Sequence, residues 1–143
     1  MLIYLGLDVS DFGKEDADFI IELFSSLGEV ITLPEEKLNA VTGISGSGPA
    51  YVYLFIDGLI KAGVKQGLTE EESKLLAINT VIGSAQMLLK NPDKKPDELV
   101  KAVCSKGGTT IQAVEVFNDR KLEEIIDLAV DACVKRAKEL ENL

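Results

Sequence analysis

The residues best suited to chemistry lie in the stretch Ser105-Lys106-Gly107-Gly108-Thr109-Thr110. Two glycines directly before a helix leave its first backbone N–H groups pointing outward without intrahelical partners. The helix dipole adds about half a positive charge at that end. The hydroxyls of Ser105, Thr109 and Thr110 and the Lys106 ammonium gather at the same point, a donor set that suits a carboxylate or a phosphate. The same six residues also read as an ordinary two-glycine turn between helices, and a short motif alone leaves both readings open.

A second stretch, Gly43-Ile44-Ser45-Gly46-Ser47-Gly48-Pro49, invites comparison with glycine-rich catalytic turns. Counted from Gly46, a dinucleotide fingerprint would need a glycine at the sixth place, where Tyr51 stands. A hydrolase elbow around Ser45 would need glycine where Ser47 stands. The residues favour close approach of two backbones, followed by a helix that Pro49 can start.

Composition narrows the chemistry further. The chain has no histidine among its 143 residues, which excludes imidazole zinc sites and histidine-activated nucleophiles. Against 15 basic residues stand 24 acidic ones, a net charge of −9, which argues against backbone-driven binding to nucleic acid or an anionic membrane. An anionic ligand therefore needs a local device such as the Ser105–Thr110 turn. Cys104 and Cys133 make neither a metal cluster nor a disulfide framework, and read as reduced, buried small hydrophobes of a cytoplasmic protein. No metal site is expected. The N-terminal residues lack the basic and small-residue features of a signal peptide. The apolar run from Ala50 to Ile56 meets Asp57 well short of the ~18 residues a membrane span needs.

The elements that would position these residues are mostly helical. Residues 2–7 and Glu29 to Leu33 read as strands, with a helix between them carrying Phe19, Ile20, Leu23, Phe24 and Leu27 and stopped by Gly28. Such a β-α-β piece is too small to bury its own faces. From Pro34 the period is helical. A helix from Pro49 to about Gln66 is apolar all round in its first turns, so it must be covered on every side. Thr69 and Glu72 form a capping box for the next helix, whose Leu75, Ile78, Ile82, Ala85 and Leu89 make a coiled-coil-type seam. Pro96 starts a short helix that stops near Cys104, and Thr109 with Gln112 at N3 is expected to cap another ending near Asn118. The last helix, about Arg120 to Leu140, bears a stripe wide enough for more than one neighbour. Met87, Tyr51, Tyr53 and the cysteines are expected in cores, and Glu70 to Glu72 on a solvated face.

The segments LNAVTGISGSGPAYVY, Leu38 to Tyr53, and KAVCSKGGTTIQAVEVF, Lys101 to Phe117, closely resemble the C-terminal domain of pyrroline-5-carboxylate reductase. The similarity runs in register from about Val9 to the C-terminus. It implies a mainly α fold: residues 1–33 as the C-terminal remnant of a nucleotide-binding Rossmann domain, and 34–143 as a helical dimerisation and substrate-loop domain. The implied activity is the final step of proline biosynthesis, NADPH- or NADH-dependent reduction of 1-pyrroline-5-carboxylate to proline.

By the same resemblance, Ser105, Gly107, Gly108, Thr109 and Thr110 bind substrate. Their backbone N–H groups and the serine hydroxyl take the carboxylate, while Thr110 stands at the catalytic position, hydrogen-bonded to the ring nitrogen. Orientation is a more secure role for Thr110 than proton donation, because a neutral hydroxyl is a poor acid. The family usually has a proline before the two glycines and threonine or serine two positions earlier; Lys106 and Cys104 stand there in this chain. Lys106 should loosen the turn while adding a positive charge. The main dinucleotide site of the family belongs to the part that 1–33 only completes, so no tightly bound cofactor and no turnover are expected from this chain alone. The family forms an intertwined homodimer, often a larger ring of dimers, without nucleic acid or membrane. Two alternatives stand beside this reading: a non-catalytic helical homodimerisation module in which the glycines only turn the chain, and a phosphate-binding domain of another dehydrogenase.

Overall fold

In a computed structural model, which describes residues 2–5 and 13–141, strand β1 (Leu2–Leu5) pairs in parallel with β2 (Glu29–Thr32). The register sets Leu2 opposite Glu29 and Leu5 opposite Thr32. Helix α1 (Lys14–Ser25) makes the crossover that a parallel pair requires. The expected strand residues 6 and 7 lie outside the described residues.

Helical structure follows almost without interruption. A 3₁₀ turn (Glu35–Lys37) leads into α2 (Leu38–Val41), a π-helical turn (Thr42–Gly46) and α3 (Gly48–Lys65), then α4 (Glu70–Lys90), α5 (Pro96–Val103), α6 (Thr109–Asp119) and α7 (Leu122–Leu140). The fold is mainly α with a small β-α-β start, as the periodicity predicts.

The chain divides into two units, Met1–Pro49 with Asp127–Leu143, and Ala50–Ile126. In the first, the glycine-rich stretch is not a break. It continues the helix as a π turn, and Gly43 is buried there because a Cβ would sit 2.7 Å from Val134 Cγ2 and 3.4 Å from Val130 Cγ1. Close approach at this glycine is the expected reason for its presence. Cys133 Sγ donates to Ser47 Oγ at 3.1 Å, and Asn39 Nδ2 donates to Glu141 Oε1 at 2.9 Å. Both cysteines are free and half-buried rather than buried.

In the second unit, α3 ends in a Schellman motif. Gly67 takes φ +97°, its N–H donates to Val64 O at 3.0 Å, and the Leu68 N–H reaches Gly63 O at 3.1 Å. The chain then reverses, and α4 packs Ser73 against Gly63, where a Cβ would lie 2.5 Å from the serine oxygen. Ser73 is buried and its hydroxyl has no hydrogen-bond partner among the described residues.

Little else is covered. Ala17 and Ala77 are the buried apolar residues among those described. The seam of α4 lies open, with Leu75 66% and Leu89 81% exposed, and so does the start of α3, where Leu54 is 71% exposed. Tyr53 and Met87, expected in a core, are also exposed in the single chain. Among the described residues no helix is long and apolar enough to cross a membrane.

Candidate functional site

The Ser105–Thr110 stretch connects α5 to α6 within the second unit. Helix α5 starts at Pro96, which needs no N–H donor partner, and the Lys95 N–H donates to Glu98 Oε2 at 2.7 Å. The helix stops when Cys104 turns extended, at φ −100° and ψ 95°. A β-turn follows. The Gly108 N–H donates to Ser105 O at 3.0 Å, and Gly107, at the third position, has φ +75°. A positive φ at that position is the type II pattern and favours glycine. Lys106, at the second position, is exposed and forms no ion pair among the described residues.

Gly108 carries the second requirement. Its backbone is extended, φ −77° and ψ 171°, and it occupies the N-cap position of α6. A Cβ there would collide with Ser105 Oγ and lie 3.1 Å from Ser105 O. Ser105 therefore folds back over the helix start because position 108 has no side chain.

This corrects the expected cap. Thr109 is the first residue of α6 and Gly108 is its cap, with no side chain among the described residues hydrogen-bonded to the first-turn amides. Gln112, expected to complete a capping box, instead donates to Glu115 Oε2 at 3.1 Å. With two adjacent threonines after two glycines, the sequence admitted either register; the extended conformation of Gly108 selects one. No acidic residue lies in the first turn of α6. The result is a helix N-terminus with its donors uncapped, its dipole unopposed by a local carboxylate, and the Ser105 hydroxyl adjacent. Thr109 and Thr110 are exposed on its first turn. The structure brings Ser105, Gly107, Gly108, Thr109 and Thr110 into one turn and first helical residue pair, an arrangement suited to holding a small anion.

The other glycine-rich stretch does not form a phosphate turn. Gly46 ends the π-helical turn and Gly48 begins α3, with no strand leading directly into them. The residues present therefore do not fit the turn that cradles a dinucleotide pyrophosphate. Among the described residues no group of three or more His, Cys, Asp or Glu side chains could hold a metal ion.

The model of the family described as pyrroline-5-carboxylate reductase dimerisation matches residues 35–140. Over 131 residues the chain is 36% identical to a pyrroline-5-carboxylate reductase of Vibrio alginolyticus, covering 91% of this chain and 48% of the relative. Over 118 residues it is 42% identical to the Synechocystis protein of the same name, covering 82% of this chain and 44% of the relative. A crystal structure of Plasmodium falciparum pyrroline carboxylate reductase with NADP bound matches with a TM-score of 0.84 at 35% identity, covering 90% of this chain and 52% of that one. The chain spans about half the length of the curated relatives it matches.

Proposed function

The chain belongs to the pyrroline-5-carboxylate reductase family, and on that premise we propose that it supplies the dimerisation domain and substrate-carboxylate turn of an enzyme reducing 1-pyrroline-5-carboxylate to L-proline. The observation that carries this reading is the uncapped start of α6, with Gly107 at positive φ and Ser105 lying against Gly108. The substrate's one carboxylate accepts hydrogen bonds from the first-turn N–H groups and the Ser105 hydroxyl. In this cradle a negative ligand meets the positive end of the dipole despite the net charge of −9.

Thr110 is the catalytic residue of the reading, its hydroxyl orienting the ring nitrogen. Orientation of a bound imine lowers the barrier without a strong acid, which suits a chain lacking histidine. The hydride belongs to a nicotinamide cofactor, NADPH or NADH, which this chain's own glycine-rich stretch does not fit. NADP is the cofactor named for the Plasmodium falciparum relative.

In this reading residues 1–33 are the end of a nucleotide-binding Rossmann domain, and 34–143 form the helical dimerisation and substrate-turn domain. The family match beginning at residue 35 supports that boundary. The assembly is a homodimer, supported by the family description and by the open apolar faces of α3 and α4. The compartment is the cytoplasm, which the two free cysteines favour.

Calorimetric titration with L-proline tests the turn directly. Saturable binding is expected, weakened at least tenfold by Ser105→Ala, and no NADPH oxidation is expected from the 143-residue chain alone. An absence of binding at saturating proline would remove the substrate-turn reading, and measurable turnover would overturn the assignment of the hydride donor's site elsewhere.

A further inference from the structure

Lys106 is the one member of the Ser105–Thr110 turn to which the function above gives no task. It is the sole charged residue from Ala102 to Val114, in a chain where 27% of residues are charged. The charges on either side are paired or distant. Lys101 pairs with Asp97 at 2.8 Å, and Glu98 accepts from the Lys95 N–H at the far end of α5. That helix has eight residues and a length of about 12 Å, more than the Debye length of about 8 Å at physiological salt. Glu115, the first charge along α6, stands about two turns from the helix start and accepts from Gln112.

The turn sets this lone charge beside the uncapped amides. Ser105 to Gly108 is a β-turn, so its first and last Cα atoms lie within about 7 Å, and its last residue caps α6. Lys106 occupies the second position, exposed, with no ion pair and no backbone hydrogen bond from its N–H among the described residues. An unpaired ammonium on a flexible four-carbon stem can follow an incoming carboxylate.

We propose that Lys106 is the capture residue of this turn: its ammonium draws a small net-anionic carboxylate toward the start of α6 and sets how steeply binding weakens with salt. The proposal rests on the substrate-turn reading above. A net charge of −9 repels an approaching anion, and the pull of the helix dipole fades within the first turn. A full charge at the rim acts over a longer range and is screened by salt, a signature that hydrogen bonds from the amides lack.

Titration calorimetry of the 143-residue chain over a sodium chloride series tests this with two probes. Cyclopentanecarboxylate carries one negative charge; L-proline carries the same carboxylate beside a positive amine. Lys106→Gln removes the charge and keeps a flexible side chain. Lys106→Pro removes it and fixes the φ that the second position of a type II turn requires, whereas Lys106→Arg keeps the charge. Lys106→Gln should weaken cyclopentanecarboxylate binding about fivefold near 0.01 M salt, where the Debye length is about 30 Å, and less than about twofold at 1 M, where it is about 3 Å. L-Proline should lose less, because the ammonium repels its amine. Lys106→Arg should follow the parent at every salt concentration, and Lys106→Pro should share the shallow salt dependence of Lys106→Gln. Unchanged circular dichroism separates these effects from unfolding, and the glutamine and arginine variants decide if Lys106→Pro does not fold.

A Lys106→Gln chain with the parent's affinities and salt dependence would overturn the proposal and leave the substrate-turn reading standing. So would a Lys106→Arg chain that behaves like Lys106→Gln, since the effect would then belong to the shape of the turn. A Lys106→Pro chain that kept the parent's steep salt dependence would assign that dependence to the helix start instead. A parent that binds neither probe at any salt concentration would remove the substrate-turn reading and the proposal together.

Discussion

Helices α4 and α6 begin with the same difficulty, a set of first-turn N–H groups without partners, and resolve it in opposite ways. At α4, Thr69 Oγ1 accepts from the Glu72 N–H at 3.2 Å, and Glu72 Oε2 accepts from the Thr69 N–H at 2.8 Å. Three acidic residues fill that first turn. At α6 the cap is Gly108, no side chain among the described residues satisfies the amides, and no acid lies in the first turn. The difference teaches that a helix start carrying its own carboxylate is a finished structural joint, whereas one without it can bind a carboxylate from elsewhere. The pKa of Glu72 records the finished joint: hydrogen bonds from the Thr69 backbone, and then its side chain, hold the carboxyl below the usual glutamate range.

The comparison breaks if α6 is given what α4 has. Thr109→Asp places an acid in the first turn of α6 at an exposed position. Proline affinity should fall by about a hundredfold, roughly 2.7 kcal/mol, because two carboxylates then compete for one cluster of donors. Stability should rise slightly, by about 0.3–1 kcal/mol, from the acid–dipole interaction. Titration calorimetry beside urea denaturation reads both. Unchanged proline affinity would mean that the ligand does not use this helix start.

The converse change belongs to α4. Thr69→Ala removes the side-chain acceptor and should cost about 1 kcal/mol of stability, measured by the urea midpoint, while leaving proline affinity unchanged. A loss of proline affinity with equal stability would show that the two helix starts do not have separate roles.

How far these differences were legible depends on whether the controlling interaction is local. The capping box at Thr69, the proline start of α5 and the glycine stop after α3 are set by residues within a few positions of one another, and the sequence displays them. The π-helical turn at Thr42–Gly46 is not local. Its glycines read as residues for close approach, but that the approach is to Val130 and Val134, nearly ninety residues away, is visible only in the fold. The site shows the same division. The glycine pair and the hydroxyls were visible, while the choice of Gly108 over Thr109 as cap depended on backbone angles that two adjacent threonines do not decide. Apolar periodicity likewise identified Leu75, Tyr53 and Met87 as residues needing cover. Periodicity does not say which chain supplies that cover, and the single chain leaves all three exposed.

The smallest effect tests whether the α4 carboxylate truly acts as an internal anion. Glu72→Gln keeps an oxygen acceptor for the Thr69 N–H while removing the titrating charge. Because the folded pKa of Glu72 is depressed, its charge-dependent contribution is fully present above the unfolded value and is lost as pH falls through the folded one. The parent should therefore be the more stable chain at neutral pH, and its advantage over Glu72→Gln should shrink on acidification through and below the usual glutamate range. Asp97, also held low by its hydrogen bond from Lys101, titrates in both chains and cancels from the difference. A gap between the two denaturation curves that stayed constant throughout acidification would assign the cap's contribution to hydrogen-bond geometry alone. The contrast with α6 would then lie in unfilled donors and not in charge.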